Sequence, residues 1–447
     1  MVLGWRRAVR SLPCAAVRSR EAGRPDPGQK KRSPGRAGSG RGIARGPLRK
    51  PEGRAVPCVH FPYCVGCPLV GEAYPAQLEA KGDRLRVALA AHPELADVRL
   101  DPPAGSPAAF GYRNQAKLVF RSRVVRPSGQ REVLLGVYKP GTHSVLPADA
   151  CIVHHRLLQP VLRGLRSEVE RLGIPIFDER TRAGALRYAL ARASTARGEV
   201  HLTLVSAIPD PPQLDELVRR LRRAHRSLSA VFLCVNPTPG NAILADDVRL
   251  LFGRRALVER FGDLELESRP DAFLQANTAV AARIYATARR WLEPAADDVA
   301  LDLYCGVGAL ALHVAADVAR VVGIESQRSA VACAVANARR AGAANAQFLT
   351  APAEDAPRVL ADLGIDTVTL ASVNPPRKGM SAAVLTSLAD CAPRRILYVS
   401  CDPVTLARDL ALLANRGYRT TRVRAFDMMP QTPHVEAVAL LVRSASP

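Results

Sequence analysis

The sequence predicts an α/β protein: a C-terminal seven-stranded doubly wound sheet, preceded by a mixed α/β domain that opens on a cysteine loop. Three observations carry this. From Asp271 onward, short apolar runs alternate with helical patterns. Between Gln115 and Glu267, alternating strand-like runs are joined mostly by short turns. Finally, Cys58, Cys64 and Cys67 crowd into one stretch with Pro57, Pro62, Gly66 and Pro68. The expected organisation is a basic arm over residues 1–57, the cysteine loop and mixed domain over 58–265, and the doubly wound domain over 266–447.

Composition limits the functions available. With 447 residues and 48% hydrophobic content, the chain can bury more than one core. Its net charge of +22 points to a polyanionic partner, nucleic acid before membrane, because no apolar run is long enough to span a bilayer. Residues 1–57 hold 15 Lys/Arg against 3 Asp/Glu, so much of that charge sits in a segment too poor in apolar periodicity to fold alone. It reads as a disordered arm. Its first twenty residues lack acids and also fit a transit peptide or an overextended start, and the default compartment is the cytoplasm. The chain is expected to act as a monomer.

The cysteines come next. In a chain of this kind, ten of them suggest metal or catalytic use before disulfides. Cys58, Cys64 and Cys67, with Cys151 from a distant segment, could close a four-thiolate shell for tetrahedral zinc or a [4Fe-4S] cluster; spacing does not separate the two. Cys14, Cys234, Cys333 and Cys391 read as arm or small core residues.

After the loop, Tyr74 to Ala91 reads as a helix, followed by a Pro-rich joint near Asp101 to Pro107. Strands are expected at Gln115–Arg121, Val133–Tyr138, Leu186–Arg192, Val200–Val205, Val231–Val235 and Leu264–Glu267, with helices at Arg156–Arg171 and Pro212–Ala224. Basic residues beside aromatics, as in Tyr112-Arg113-Asn114-Gln115-Ala116-Lys117 and Tyr138-Lys139, suit RNA contacts or simply a solvated face.

In the C-terminal part, the strands are Val299–Tyr304, Val321–Glu325, Ala346–Thr350, Thr367–Val373, Arg395–Ser400, Thr420–Phe426 and Ala437–Val442. Asp402 as cap, Pro403 at the first position and Gly417 as stop mark the helix after the fifth strand. The last two strands lack a helix between them and should form an antiparallel hairpin. Ligands of such sheets sit beyond the carboxyl ends of the strands. There lie Tyr304 to Gly308, Glu325, Asn374-Pro375-Pro376-Arg377, Ser400-Cys401-Asp402 and Phe426-Asp427.

These ends carry the chemistry. Gly306 and Gly308 would let the backbone approach a nucleotide, and Glu325 is placed for a ribose hydroxyl pair. Cys401, between a strand and a helix N-terminus, is placed as a nucleophile whose pKa the helix end would lower. Glu436 alone reads as a solvated strand-start residue.

In combination, Asp302-Leu303-Tyr304-Cys305-Gly306-Val307-Gly308, Asn374-Pro375-Pro376-Arg377-Lys378-Gly379, Tyr398-Val399-Ser400-Cys401-Asp402-Pro403 and Pro430-Gln431-Thr432-Pro433-His434-Val435-Glu436 closely resemble the RNA (uracil-C5)-methyltransferase family. So do Phe273-Leu274-Gln275-Ala276-Asn277, Tyr112-Arg113-Asn114 and the four cysteines, in order over residues 58 to 445. The resemblance implies a class I, Rossmann-like methyltransferase domain using S-adenosylmethionine (SAM), contacted by Gln275, Tyr304, Glu325 and Asn374. By it, Cys401 is the nucleophile, Glu436 the base, and Cys58, Cys64, Cys67 and Cys151 are ligands of a [4Fe-4S] cluster. Three departures stand out: Asn374 where many members carry Asp, Asp402 where Asn is usual, and Leu274 in place of a second Phe. Asn374 resembles the branch acting on 23S ribosomal RNA, which is favoured over transfer RNA as substrate.

Two rivals remain at this level. Asn374-Pro375-Pro376 also resembles the motif of amino-methyltransferases, but those continue with an aromatic residue where this chain has Arg377. A non-catalytic RNA-binding or assembly protein would not need both Cys401 and Glu436.

Overall fold

The computed structural model describes residues 58–238, 243–245 and 247–444. The arm expected over residues 1–57, with Cys14, lies outside the described residues. Helix α1 (Tyr74–Ala90) has proline in its first turn and buries Gln77, Lys81, Leu85 and Leu89, a stripe at four-residue spacing. Strand β1 (Arg99–Ala104) follows.

The middle layer comprises β2 (Gln115–Val124), β3 (Arg131–Tyr138), β4 (Val145–Pro147), α2 (Leu158–Arg171), β5 (Leu186–Ser194), β6 (Glu199–Ser206), α3 (Leu214–Ala224), β7 (Leu228–Val235) and β8 (Val248–Gly253). Its seven-stranded sheet runs β4-β3-β2-β5-β6-β7-β8. Only β6 and β7 pair in parallel, because α3 is the helix-length crossover that a parallel pair needs. Leu158, Leu162 and Leu165 of α2 and Leu217 and Leu221 of α3 are fully buried against this sheet's apolar face.

A hairpin, β9 (Leu257–Phe261) and β10 (Leu264–Ser268), contributes Phe261 and Leu266 to the core of the next layer. That layer comprises α4 (Thr278–Leu292), β11 (Val299–Leu303), α5 (Ala309–Val314), β12 (Arg320–Glu325), α6 (Arg328–Ala341), β13 (Ala346–Thr350), α7 (Ala356–Asp362), β14 (Leu370–Val373), α8 (Ala382–Asp390), β15 (Arg395–Ser400), α9 (Pro403–Ala414), β16 (Tyr418–Phe426) and β17 (Glu436–Arg443). The order is β1-β16-β17-β15-β14-β11-β12-β13, with β17 antiparallel to both neighbours.

The seven expected strands are present, and the sheet gains an eighth. The Pro-rich joint expected near Asp101 is strand β1, paired in parallel with β16 through Arg99–Arg422 and Asp101–Arg424. Prolines are tolerated there because an edge strand bonds on one side only, and the ladder is irregular between Asp101 and Ala104, where Pro102 and Pro103 lie. Strands β4, β8 and β9 are also absent from the sequence expectation, being short or lacking clean alternation. Among the described residues, no helix is long and apolar enough to cross a membrane.

Candidate active site

The chain leaves β11 for β12 and β13 on one side, then returns to place β14 on the other. The turn after β11 therefore sits at the topological switch point, where open α/β sheets bind ligands. Tyr304 and Gly306 take left-handed conformations, with φ of 58° and 55°, and Gly308 has φ of 83°. For Tyr304, that conformation is a local strain of about 1–3 kcal/mol held by its surroundings. The glycines divide their work. A Cβ on Gly308 would lie 2.9 Å from Phe348, so this glycine serves packing, whereas Gly306 faces open space. Glu325, at the end of β12, accepts hydrogen bonds from the Gly306 amide (3.2 Å) and the Gln327 amide (2.9 Å). Beneath the turn, buried Asp302 accepts from Ser372 Oγ (2.6 Å) and the Ala311 amide (3.1 Å), joining β11 to β14 and α5. Burial pushes its carboxyl up to about 7, against those two hydrogen bonds and with a smaller push from Glu325.

Cys401 lies where β15 gives way to α9. Asp402 caps that helix, its Oδ1 accepting from the Val404 and Thr405 amides at 3.0 Å each. The loop after β14 folds back onto α9: Thr405 Oγ1 donates to Arg377 O (3.1 Å), Arg408 donates to Lys378 O (3.0 Å), and the Met380 amide donates to Asp409 (2.8 Å). This fold-back brings Arg377 close enough to Cys401 for its positive charge to act on the thiol. The helix end does not set the thiol's pKa. Burial first and the Glu436 charge second push it up, and Arg377 pulls it back down.

Glu436 is buried, not solvated. The hairpin explains why a residue at the start of a strand reaches this edge. Because β17 runs antiparallel to β15, its first residues lie at the carboxyl end of β15, with Ala437 opposite Ser400. Burial pushes the Glu436 carboxyl up to about 7, with Arg377 pulling the other way. Thiol, carboxyl and guanidinium thus lie near enough at this edge to act on one another's charge.

The remaining candidate residues line the same edge. Asn374 directly follows β14, its amide donating to Leu303 O at 3.4 Å. Gln275 is buried in the loop before α4, which the middle layer grips: Asn114 Nδ2 donates to Gln275 O (3.2 Å) and Thr278 Oγ1 (2.8 Å), and Arg192 donates to Arg269 O and Ala272 O (both 2.8 Å). Gln327, two residues beyond Glu325, donates to Asp271 O at 3.0 Å and ties that loop to the start of α6.

The four cysteines gather apart from this edge. Phe61, Val70, Tyr112 and Val153 pack around Cys58, Cys67 and Cys151. Burial pushes the Cys67 thiol up to about 12, and Cys151, Cys64 and Cys58 add to the push. Burial likewise raises Cys64 and Cys151, each with a further push from a neighbouring thiol. Among the described residues, no group of three or more His, Cys, Asp or Glu is drawn in closely enough to hold a metal ion. Cys234 and Cys333 are fully buried core residues.

A family model described as tRNA (uracil-5-)-methyltransferase matches residues 259–444, which span the hairpin β9–β10 and nearly all of the doubly wound layer. An uncharacterized RNA methyltransferase of Geobacter sulfurreducens is 35% identical over 386 residues, covering 86% of this chain and 77% of that protein. The chain belongs to the RNA (uracil-C5)-methyltransferase family. A second relative, an uncharacterized RNA methyltransferase of Thermosynechococcus vestitus, is 36% identical over 87% of this chain and 84% of its own. Among solved structures, the tRNA (uracil-54, C5)-methyltransferase of Pyrococcus abyssi, in complex with S-adenosyl-L-homocysteine, superposes with a TM-score of 0.67 at 25% identity, covering 85% of this chain and 86% of that one. The protein is thus an RNA methyltransferase with a class I methyltransferase fold.

Within this family member, sequence reasoning misses two kinds of residue. Arg377 reads along the chain only as a non-aromatic neighbour of the Asn-Pro-Pro motif, yet its charge pulls down the pKa of both Cys401 and Glu436. Gln77 and Lys81 on α1, with Asp427 and Gln431, form a buried polar group on the segment that leads into Glu436. Their readable signal is two polar side chains on the buried stripe of an otherwise apolar helix face.

Proposed function

We propose that this methyltransferase transfers a methyl group from SAM to C5 of a uridine in RNA, through a covalent adduct between Cys401 and C6. The observation that carries this reading is the meeting of Cys401, Glu436 and Arg377 at the carboxyl edge of the sheet. C5 of uracil is too weak a nucleophile to take a methyl group unaided. Addition of the Cys401 thiolate to C6 forms the S–C6 bond and leaves C4–C5 as an enolate, whose C5 attacks the methyl carbon of the sulfonium, releasing S-adenosylhomocysteine. C5 then bears both methyl and hydrogen. Glu436 takes the hydrogen as a proton, the S–C6 bond breaks, and the thiolate leaves with its electron pair. Arg377 stabilises the thiolate at both ends of this cycle. The target base must leave its stack to reach the pocket.

Gln275, Tyr304, Glu325 and Asn374 are the residues assigned to SAM, supported by their place around the switch-point turn. The substrate favoured is 23S ribosomal RNA, on the strength of Asn374; the Pyrococcus abyssi neighbour, which acts on tRNA, favours transfer RNA instead. Mass mapping of 5-methyluridine in both RNAs from cells lacking the protein decides between them. Cys58, Cys64, Cys67 and Cys151 form an all-thiol donor set suited to a [4Fe-4S] cluster, which would cross-link the cysteine loop to the segment bearing Cys151. Protein purified without oxygen should be brown. Colourless protein carrying stoichiometric zinc would refute the cluster.

The catalytic reading is tested by incubating Glu436→Gln with SAM and target RNA. A slow-migrating band on a denaturing gel, absent when Cys401 is also replaced, is the expected result. Normal multiple turnover by Glu436→Gln would remove Glu436 from the mechanism.

A further inference from the structure

The segment that leads into Glu436, Asp427 to Val435, is irregular, and buried backbone carbonyls need partners from somewhere. Four consecutive carbonyls find them outside the strands of the doubly wound sheet. Met428 O accepts from Asn277 Nδ2 (3.3 Å), Met429 O from Lys81 Nζ (3.0 Å), Pro430 O from the Tyr112 hydroxyl (3.0 Å) and Gln431 O from the Leu69 amide (3.1 Å). Two buried side-chain pairs complete the brace. Lys81 forms an ion pair with Asp427, both nearly inaccessible to solvent. Gln77 and Gln431 bond reciprocally, Gln77 Nε2 to Gln431 Oε1 and the Gln431 amide to Gln77 Oε1, at 3.0 Å each.

Gln77 also donates to Leu69 O (2.9 Å) and Glu72 O (3.1 Å), just past Cys67. One glutamine therefore joins the end of the cysteine loop to the segment before the base. Gln431 itself sits at φ of 68°, a left-handed conformation that a glutamine keeps only when its surroundings over-determine it. The brace supplies that constraint five residues ahead of Glu436.

We infer that Gln77, Lys81 and Tyr112 are positioning residues for proton removal, holding the Asp427–Val435 segment so that Glu436 faces the C5 hydrogen of the adduct. They touch neither base nor cofactor. The inference rests on the assignment of Glu436 as base. It predicts a selective defect. Cys401 and the switch-point turn are held by their own sheet and helix, so adduct formation and SAM binding should persist when the brace is loosened, while release of methylated RNA slows. A misplacement on the order of 1 Å costs a catalytic group roughly 100-fold.

Gln77→Ala removes the reciprocal pair without leaving a buried charge, and Tyr112→Phe removes a single hydrogen bond with little risk to folding. Each variant is incubated as the full chain with SAM and target RNA, alongside Glu436→Gln, and the methylated covalent band is followed by denaturing gel while SAM affinity is measured separately. The expected result is unchanged SAM affinity and a persistent band in both variants, with release slowed roughly 100-fold in Gln77→Ala and about tenfold in Tyr112→Phe. A merely structural role would lower adduct formation and release together. That parallel loss in Tyr112→Phe, or wild-type release by Gln77→Ala, overturns the inference while a band from Glu436→Gln leaves the base assignment standing. Absence of a band from Glu436→Gln, with normal turnover, removes the base itself and the brace's purpose with it.

Discussion

Cys401 and Glu436 face one another but are held there by different routes. Cys401 stands between a strand and the helix that follows it, fixed by the Asp402 cap and by a loop that folds onto the same helix. Glu436 follows a segment whose backbone is satisfied by Leu69, Lys81, Tyr112 and Asn277, residues from well before the last strands of the sheet. Cys401, the proposed nucleophile, is thus a local product of its sequence. Glu436, the proposed base, depends on parts of the chain remote in sequence that dock against it.

The largest effect expected is on the local side. Cys401→Ala should abolish methyl transfer and adduct formation, while SAM affinity, measured by calorimetry, stays close to wild type. Loss of SAM binding would mean that the nucleophile turn and the cofactor turn are not independent. Next is Arg377, the residue shared by both sides. It pulls down the raised pKa of both Cys401 and Glu436, so Arg377→Ala should move both upward. Adduct formation near pH 7 should fall, because less of the thiol is ionised, and recover as pH rises. The acid limb of product release, expected near pH 7 for a Glu436 that must be ionised to accept a proton, should also shift upward. Shifts in opposite directions would refute the shared contact.

A smaller effect concerns stability. The folded-state pKa of Glu436 is raised to about 7, above its unfolded value, so the folded protein binds this proton more tightly. The associated stability is present below the unfolded pKa and is lost as pH rises through about 7. Glu436→Gln should therefore unfold at a higher temperature than wild type at pH 8, by a margin on the order of 3 kcal/mol that shrinks towards pH 5. Equal stability at pH 8 would place the carboxylate in a more polar setting than the fold gives it. Smallest of all, Asp402→Ala should cost about 1 kcal/mol through loss of the cap to α9, seen as a lowered thermal midpoint with a functional base.

Much of this is legible in the sequence because it is periodic or local. The seven C-terminal strands follow from apolar runs, and the Asp402 cap and Pro403 mark the start of α9 through residue type and spacing. Cys401, Tyr304, Glu325 and Asn374 can be placed at strand ends for the same reason, since a doubly wound order fixes which end carries the ligand. Strand β1 is not legible, because Pro102 and Pro103 argue against a strand unless it lies on an edge, and whether a strand is an edge is a tertiary fact. Glu436 is legible only through a family resemblance. Its local setting, the start of a strand, gives no sign of burial.

The sequence by itself determined the strand-and-helix alternation, the strand-to-helix turn at Cys401 and the glycine turn at the switch point, because each depends on neighbours a few residues away. The tertiary structure alone decided the ionisation of the site and the reach of Glu436. Burial and the Glu436 charge raise the Cys401 thiol where the helix end was expected to lower it. The antiparallel run of β17 carries a strand-start glutamate to the carboxyl edge, and Gln77 and Lys81 meet Gln431 and Asp427 only when α1 docks. Desolvation and long-range charge are properties of what surrounds a group in space, and the order of residues along the chain does not state them.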